Sequence, residues 1–534
     1  MDVTIGYVQV GVFLFILLFV ILYYSISHQA EEVSIPKSIP VVGIREESFA
    51  WVRAAIRSFS KTAEWTSEGY IKYIKANSPF VVASMDRGPV LVLQPAQMKK
   101  VYNLSDTRLD TNNTTNATIR TEYTVQDQKV VTDDFHINVV RNQITRNLDV
   151  LTQPMVTEIE RVFERIWGTS SEWKTISVWY SCLTLIARVA NSALCGPPLC
   201  RDEKFLQAMQ DHSSVMFGGA ILINATPKLV RPVTGTLIRL LCKLFYGRAL
   251  RRCLPFVAKR VDDTRRARET GSNQILPQDG LQWIIDEALT KKDPSEHDPI
   301  RLSERLLFTN DVSMHSTSFT FSNLMLNLFS SDPSLGYVEA LREECREVLN
   351  AAGGTWTRQA VQNLRLVDSA IRESMRISSF SVYGMPRTVY DPNGISIEHG
   401  DSNITIPRGT QIVLPVDELH FDKDIYQNPE HFNPFRFVVS EEEPENQGQS
   451  HSAQKGKATV TLDDNWLGFG FGRHGCPGRF FAVHEMKLMA AHMLLNYEVD
   501  YRKENPKLLS FIWLKLPLNN ATLRVRRISA SKDL

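Results

Sequence analysis

The chain has 534 residues, of which 43% are hydrophobic, and its formal net charge is +1 at neutral pH. This length supports a large buried core, and the near-neutral charge lacks the basic footprint that nucleic-acid binding requires, so we expect no nucleic-acid partner. The seven cysteines stand at wide, irregular spacing without a paired C-x-x-C zinc pattern, which favours reduced thiols over a disulfide framework.

The first feature along the chain is Ile5 to Tyr24, an uncharged apolar stretch about as long as a bilayer-spanning helix. A cleaved signal peptide is the alternative, but it requires a basic region before the apolar stretch, and only Asp2 precedes this one. Lys37, Arg45 and Arg53 all follow the stretch. Because basic residues mark the cytoplasmic side, we predict a retained anchor at 1–24 and a cytosolic body.

After the anchor, residues 25–45 read as a linker stiffened by two prolines, and the catalytic body is expected at 46–534. N-x-[ST] sequons begin at Asn103, Asn112, Asn113, Asn116, Asn224, Asn403 and Asn520. A lumenal body would be open to glycosylation at these sites, so a cytosolic body predicts that they stay unmodified.

Helical periodicity dominates the middle of the body, notably at 155–166, 203–217 and 337–350. Short β-branched runs at Pro79 to Met85, Val90 to Gln94 and Thr410 to Pro415 predict strands. The polar stretch Ser440 to Lys457 predicts a surface loop.

One predicted helix, Leu306 to Ser331, carries a single charge, Asp311, and no glycine or proline. Such a helix should run through the middle of the protein, and its polar residues argue against a second membrane span. Hydroxyls on a buried helix usually bond the carbonyl one turn earlier, which is the plain explanation for Ser316 and Thr317.

Cys476 lies in a glycine-rich segment that leads into an amphipathic helix. The flanking glycines are Gly470, Gly472, Gly475 and Gly478. Glycines let the backbone approach a flat ligand closely, and Pro477 suits the first turn of a helix. Cys476 would then lie at the positive end of the helix dipole, which favours a thiolate able to ligate iron and promote O–O cleavage.

Cys476 has three other interpretations. A purely structural cysteine would not need four surrounding glycines. A zinc site needs about four ligands, and His474 is the nearby candidate. A nucleophilic cysteine needs a base, for which His474 or His484 is available.

The pattern F-x-x-G-x-H-x-C-x-G, from Phe469 to Gly478, resembles the cysteine loop of the cytochrome P450 family of haem-thiolate monooxygenases. The resemblance implies that Cys476 is the axial ligand of a haem b iron and that Phe469 packs beside its sulfur. It also implies that His474 pairs with a haem propionate and that Gly472 and Gly478 belong to the haem-binding loop. It covers roughly residues 36–527 and implies a mainly α fold with a smaller β region, here preceded by one transmembrane helix.

Further landmarks of that family appear in order. Glu373 and Arg376 match its E-x-x-R pair, and Arg436 in FNPFRF matches the third member of its Glu-Arg-Arg cluster. The resemblance assigns these three to structural support of the haem loop. Arg141 resembles the arginine that reaches a haem propionate, although Ile137 stands where the family has tryptophan.

The central helix resembles the family's oxygen-activating segment with one departure. In VSMHST, Val312 to Thr317, His315 occupies the position of an acid and Ser316 that of a threonine. As a hypothesis, Ser316 or Thr317 bonds the distal oxygen, and His315, oriented by Asp311, helps deliver protons.

The resemblance also implies partners and a location. Electrons should come from an NADPH–cytochrome P450 reductase that docks near the cysteine side, where Arg479 and Lys487 are candidate contacts, although a solvated helix face is the favoured interpretation of any single charge. The location implied is the endoplasmic reticulum membrane.

The substrate pocket is expected to be apolar, and six residues were assigned to it: Met216, Phe217, Phe308, Phe380, Val382 and Ile512. The segment Ile186 to Cys200 and the central-helix histidine resemble fungal secondary-metabolism members, including the ent-kaurene-oxidase-like group. We therefore expect a monooxygenase that oxidises an apolar natural product, with a terpenoid as the favoured class. A same-fold enzyme that catalyses rearrangement, desaturation or dehydration without oxygen insertion, or a non-catalytic haem-binding protein, remains the alternative.

Overall fold

A computed structural model describes residues 35–271, 275–439, 456–517 and 520–529. The predicted anchor at 1–24, most of the linker and most of the polar loop lie outside these residues, so the division of the chain at residues 24 and 45 stays a prediction. Across the described ranges, no helix combines the length and apolar character needed to cross a bilayer.

Helices make up most of the described chain. They are α1 (Ala50–Lys72), α2 (Met98–Tyr102), α3 (Asn112–Ile119), α4 (Thr121–Thr124), α5 (Gln128–Thr132), α6 (Phe135–Val139), α7 (Leu148–Ile166), α8 (Val178–Leu194), α9 (Glu203–Ala225), α10 (Arg231–Thr270), α11 (Gly280–Ala288), α12 (Pro299–Phe329), α13 (Tyr337–Ala351), α14 (Arg358–Asn363), α15 (Arg365–Ile377), α16 (Val416–His420) and α17 (Arg479–Asn496). The predicted helical regions at 155–166, 203–217 and 337–350 fall within α7, α9 and α13.

Strands are short and form four sheets. They are β1 (Val41–Val42), β2 (Phe80–Ser84), β3 (Gly88–Val92), β4 (Leu109–Asp110), β5 (Lys174–Ser177), β6 (Gly384–Val389), β7 (Ile395–His399), β8 (Ser402–Ile406), β9 (Gln411–Leu414), β10 (Tyr497–Val499), β11 (Leu509–Phe511), β12 (Leu514–Leu516) and β13 (Thr522–Arg527). The largest sheet has the order β1-β2-β3-β9-β6-β4, and β2 pairs antiparallel with β3 in the register Val82↔Val90. The three predicted strands are β2, β3 and β9.

Helix α12 runs through the centre of the molecule, as its composition predicts. Its side chains pack against α8, α10 and α15. It starts at Pro299, earlier than the apolar pattern, because the Asp298 carboxylate caps the helix by accepting a hydrogen bond from the Ile300 N–H.

The core is divided between the helices and the largest sheet. The main cluster of buried apolar side chains comes from α7, α8, α12, α15 and α17. Two smaller clusters cover opposite faces of the sheet, with Val81 and Leu91 on one face and Val82 and Val90 on the other. The prediction of a mainly α fold with a smaller β region is confirmed, and the two regions meet where the cysteine loop lies.

Candidate functional site

A cavity of about 510 Å³ lies between α12 and the cysteine loop. Its wall is predominantly apolar, and it includes Cys476 and Phe469 from the loop and Phe481 and Met486 from α17. The turn after α15 closes another side. A site of this size and character takes a small, mostly apolar ligand.

The cysteine loop is shaped by its glycines. Gly470 and Gly472 adopt φ values of +79° and +66°, a backbone region that other residues rarely adopt. This turn lets the Cys476 N–H donate to the Phe469 carbonyl oxygen at 2.8 Å, and Arg479 Nη1 donates to the Cys476 carbonyl at 2.9 Å. Gly478 lines the cavity, whereas Gly472 serves the turn and does not face it.

The electrostatics of Cys476 differ from expectation. Burial is the largest effect and raises the pKa of the thiol, although the N–H groups of Gly478 and Arg479 and the Arg479 charge act in the opposite direction. The helix terminus alone therefore does not produce a thiolate here. A bound metal cation would reverse this balance, since coordination deprotonates a thiol.

The three residues of the Glu-Arg-Arg pattern meet behind the loop. Both Glu373 and Arg376 are fully buried and form a bidentate pair at 2.8 Å, while Arg436 Nε donates to the same carboxylate at 2.9 Å. The predicted contact among these three residues is present.

A chain of hydrogen bonds connects this cluster to the cysteine loop. Arg376 Nη1 donates to the His420 carbonyl at 2.7 Å, and His420 Nε2 accepts from the Leu467 N–H at 2.9 Å. Leu467 stands two residues before Phe469. The cluster therefore positions the segment that leads into the cysteine loop.

A basic group lies on the other side of the loop. Arg387, in β6, is buried, and its Nε and Nη1 find no hydrogen-bond acceptor among the described residues. Its charge, after burial, is the next cause that lowers the pKa of His474, whose Nε2 lies 2.8 Å from Asp106 Oδ1. A buried guanidinium that has unused donors and no ion-pair partner among the described residues favours an anion, and a carboxylate is suited to that position.

Arg141 lies at the surface rather than in the cavity wall. It lies within a short π-helical turn, Val140–Ile144, and its charge is close enough to contribute, after burial, to the lowered pKa of Arg479. Ile137 and Val140 from this region do line the cavity.

The cavity face of α12 carries hydroxyl groups. Thr317 Oγ1 donates to the Ser313 carbonyl at 2.9 Å, which agrees with the plain explanation given above. The bonds from Ser316 Oγ to the carbonyls of Val312 and Ser313 are 3.5 and 3.4 Å. Ser316 thus has the weaker hold on the helix and faces the cavity.

His315 was expected at this face, oriented by Asp311, and that expectation is wrong. Its ring lies outside the cavity wall, stacked 6.1 Å from Trp179, with Nε2 3.3 Å from Ser214 Oγ. Asp311 instead bonds His212 Nδ1 at 2.9 Å. Positions 311 and 315 both face α9, where the Asp311 carboxylate bonds His212 and the His315 ring contacts Ser214.

Alternative metal chemistry finds little support in the same geometry. Within the described ranges, no group of three or more His, Cys, Asp or Glu residues is placed to hold a metal ion. His474 bonds Asp106 and His484 Nε2 bonds Thr152, so neither is paired with Cys476 as a base.

The sequence profile of the family described as cytochrome P450 matches residues 80–525, which is most of the chain. The chain belongs to the cytochrome P450 family. It is 41% identical to the cytochrome P450 monooxygenase okaG of Penicillium ochrochloron over 510 residues, covering 92% of this chain and 94% of that protein. It is 31% identical to the monooxygenase gloP of Glarea lozoyensis over 523 residues, covering 97% and 95% of the two chains. The chain is thus a P450 monooxygenase of a haem-thiolate family, and its relatives are fungal.

Several residues assigned to this P450 from sequence lie elsewhere. Of the six apolar residues expected in the pocket, Phe380 lines the cavity, whereas Met216, Phe217, Phe308, Val382 and Ile512 do not. Lys487 is buried and pairs with Asp368 at 2.9 Å, and Arg479 is bonded to backbone carbonyls. Lys487 is therefore not accessible to a reductase, whereas Arg479 is partly exposed.

Other residues of the P450 site were not found from sequence. Arg387, His420, Arg87 and Trp513 all contribute to the cavity or its supports. Arg387 lies in β6, Arg87 and Trp513 lie in turns, and His420 ends the short helix α16, without a distinctive motif at any of these positions. They converge through packing that is long-range in sequence. A single chain offers no local signal for such convergence.

Proposed function

We propose that this P450 inserts an oxygen atom from O₂ into an apolar natural product of fungal secondary metabolism, with a terpenoid as the favoured class. The observation that carries the proposal is the placement of Cys476 in the wall of a mostly apolar cavity that also exposes Ser316. The wall is suited to a rigid hydrocarbon skeleton, and electrons are supplied by an NADPH–cytochrome P450 reductase.

The residues present fit a haem b. When bound through a thiolate, haem iron supplies dioxygen activation. Cys476 would hold the iron, and Phe469 and Gly478 line the cavity with it. The unused donors of buried Arg387, with His474, would hold the haem carboxylates, and Arg141 is a further candidate at the edge. Glu373, Arg376 and Arg436 hold the loop in place.

On the opposite wall, we assign the main polar role to Ser316. Its hydrogen bonds to the carbonyls of Val312 and Ser313 are long, so the hydroxyl can turn toward a ligand in the cavity. There it can donate a hydrogen bond and serve as a proton donor. Thr317 is held more firmly by its own helix carbonyl and supports that position.

The first test is the ligand itself. In the haem-loaded full chain, Cys476→Ser should abolish both the thiolate form of the carbon monoxide difference spectrum and reductase-supported turnover. Cys345→Ser is the control, because Cys345 is a buried cysteine that lies in α13 away from the cavity. A Cys476→Ser protein that kept both signals would contradict the assignment.

Product analysis separates monooxygenation from the other chemistries of this fold. Turnover of a terpenoid panel under oxygen-18 gas should place the label in the product. Product formed without label would indicate rearrangement, desaturation or dehydration. Haem uptake without ligand-stimulated NADPH consumption across the panel would indicate a binding protein.

We also propose that the body docks on the endoplasmic reticulum membrane through α9 and α10. Exposed apolar side chains repeat along one side of α10 and continue into its connection with α9: Leu222, Leu229, Val233, Leu237, Leu240, Leu241 and Leu244. Exposed Arg239 and Lys243 lie among them. This combination is typical of a helix that lies in the interface of an anionic membrane.

An environment-sensitive fluorophore tests that surface. A label on Leu240→Cys should shift to the blue with vesicles containing phosphatidylserine, and the same label on Leu335→Cys, at an exposed turn outside these helices, should not. In the haem-loaded chain Cys476 would be held by the iron, and the other native cysteines are buried, so labelling is selective. Equal shifts at both positions would contradict the proposal.

A further inference from the structure

One charged side chain faces the cavity from the β2–β3 turn. Among the described residues that line the cavity, Arg87 is the one arginine or lysine. Its side chain is 6% exposed, and its guanidinium carbon lies over the Trp513 ring, 4.7 Å from the ring centroid. A charge placed in an otherwise apolar wall is expensive unless it has a specific partner.

The neighbours of Arg87 do not use its donors fully. Its Nη1 contacts Thr118 Oγ1 at 3.4 Å and Gln411 Oε1 at 3.3 Å, both long for hydrogen bonds. Its Nε has no hydrogen-bond acceptor within the part of the chain that the structure describes.

The adjacent carboxylate is occupied elsewhere. Asp86 accepts from Trp513 Nε1 at 2.9 Å and from Ser84 Oγ, so its oxygens hold the hairpin and the indole. Its Oδ2 lies 3.4 Å from Arg87 Nε, close enough to neutralise the charge without forming a hydrogen bond. Arg87 is thus charge-compensated but short of acceptors.

We propose that Arg87 is a substrate-binding residue that donates to an uncharged oxygen, a carbonyl, of the substrate. A substrate carboxylate fits less well, because with Asp86 it would place two anions against one cation in a site that is nearly closed to water. A carbonyl completes the donors without adding charge, and bonds from charged donors are stronger than neutral ones.

This inference rests on the proposed function and narrows its substrate class. The substrate of this P450 already carries a carbonyl oxygen when it binds, so an earlier step must install one on the carbon skeleton. Arg87 then sets which part of the skeleton lies near Cys476, because its own contacts belong to the β2–β3 turn, α3, β9 and Trp513 rather than to the cysteine loop.

The test uses N-alkylimidazoles, whose nitrogen binds haem iron and whose chain extends into the cavity. At each alkyl length three probes are made, which end in a plain hydrocarbon, a ketone or a carboxylate. Dissociation constants are read from the absorption shift of the haem-loaded full-length protein. At one chain length the ketone should bind about tenfold tighter than the hydrocarbon, as one added bond to a charged donor provides.

Arg87→Met should remove that preference and leave hydrocarbon binding within about threefold, whereas Arg108→Met, at an exposed arginine outside the cavity, should keep it. The double variant Asp86→Asn–Arg87→Gln removes both charges together and covers the case in which Arg87→Met fails to fold.

Three results would overturn the inference: equal binding of ketone and hydrocarbon at every length, a preference that survives loss of Arg87, or a carboxylate that binds tightest. A wild-type chain that shows no imidazole shift and no thiolate spectrum would instead contradict the proposed function.

Discussion

The two walls of the cavity are built in different ways. The cysteine wall is held by buried charges and backbone bonds, from Glu373 through Arg376 and His420 to Leu467. The α12 wall offers Ser316, whose hydroxyl makes only long bonds to its own helix. We therefore expect substitutions in the cysteine wall to cost more stability than removal of a hydroxyl group from the α12 wall.

The largest effect on stability is expected from a substitution of the buried carboxylate of Glu373. Glu373→Gln leaves two arginines facing a neutral group, and breaking a buried pair costs about 3–5 kcal/mol. We expect loss of haem retention and a lower midpoint of urea-induced loss of the haem absorption band. Both are measured on purified protein with and without added haem.

The matched control for that variant is Glu343→Gln in α13. Glu343 forms the same i,i+3 pair with Arg346, but both side chains are about half exposed. An exposed pair contributes about 0–1 kcal/mol, so the midpoint should barely change. If the urea midpoint fell equally in the two variants, burial would not explain the contribution of the Glu-Arg-Arg cluster to stability.

Acid should act on the same wall through His420. Burial, and then the Arg376 charge, lower the pKa of His420 to about 3. Its unfolded pKa is about 6.5. Because the folded value is depressed, the stabilising contribution is complete above the unfolded value and is lost as pH falls toward 3. Protonation also removes the acceptor for the Leu467 N–H.

His420→Gln should therefore flatten the acid side of the stability profile by about one proton, or about 1.4 kcal/mol per pH unit. Urea midpoints of the haem band between pH 7.5 and 4.5 measure this slope. The exposed His431→Gln is the control and should leave the slope unchanged. If neither variant changed this slope, His420 would not be responsible for the loss of stability at acid pH.

Features that depend on one segment of the sequence could be predicted, whereas features that depend on distant segments could not. Cys476, the Glu-Arg-Arg contact and the central helix were recognisable because each is a short pattern read along one segment. Arg387 and Arg87 were not, since their importance arises from what other strands bring beside them. His315 was misassigned because helical spacing gives the face of a residue but not which neighbouring helix supplies its partner.

On the α12 wall, a smaller effect is expected from Ser316→Ala. Removal of the hydroxyl should lower product formed per NADPH by about tenfold, the scale of one hydrogen bond, with little change in stability. Ser318→Ala is the control, because Ser318 is buried away from the cavity and bonds the Met314 carbonyl at 2.7 Å. Full coupling in a Ser316→Ala–Thr317→Ala protein would end the assignment of a proton-donating role to these hydroxyls.

The smallest effect is expected from His315→Phe. This variant tests whether the histidine that stands at the family's acid position on α12 has a chemical or a structural role. Burial lowers the pKa of His315, so the ring is neutral at pH 7, and its Nδ1 has no partner among the described residues. Phenylalanine removes that unsatisfied group and retains the stacking on Trp179, at the loss of one weak bond to Ser214. Such an exchange is close to neutral for stability, and coupling should change less than about threefold. A loss of coupling as large as that of Ser316→Ala would return His315 to the proton path despite its position outside the cavity.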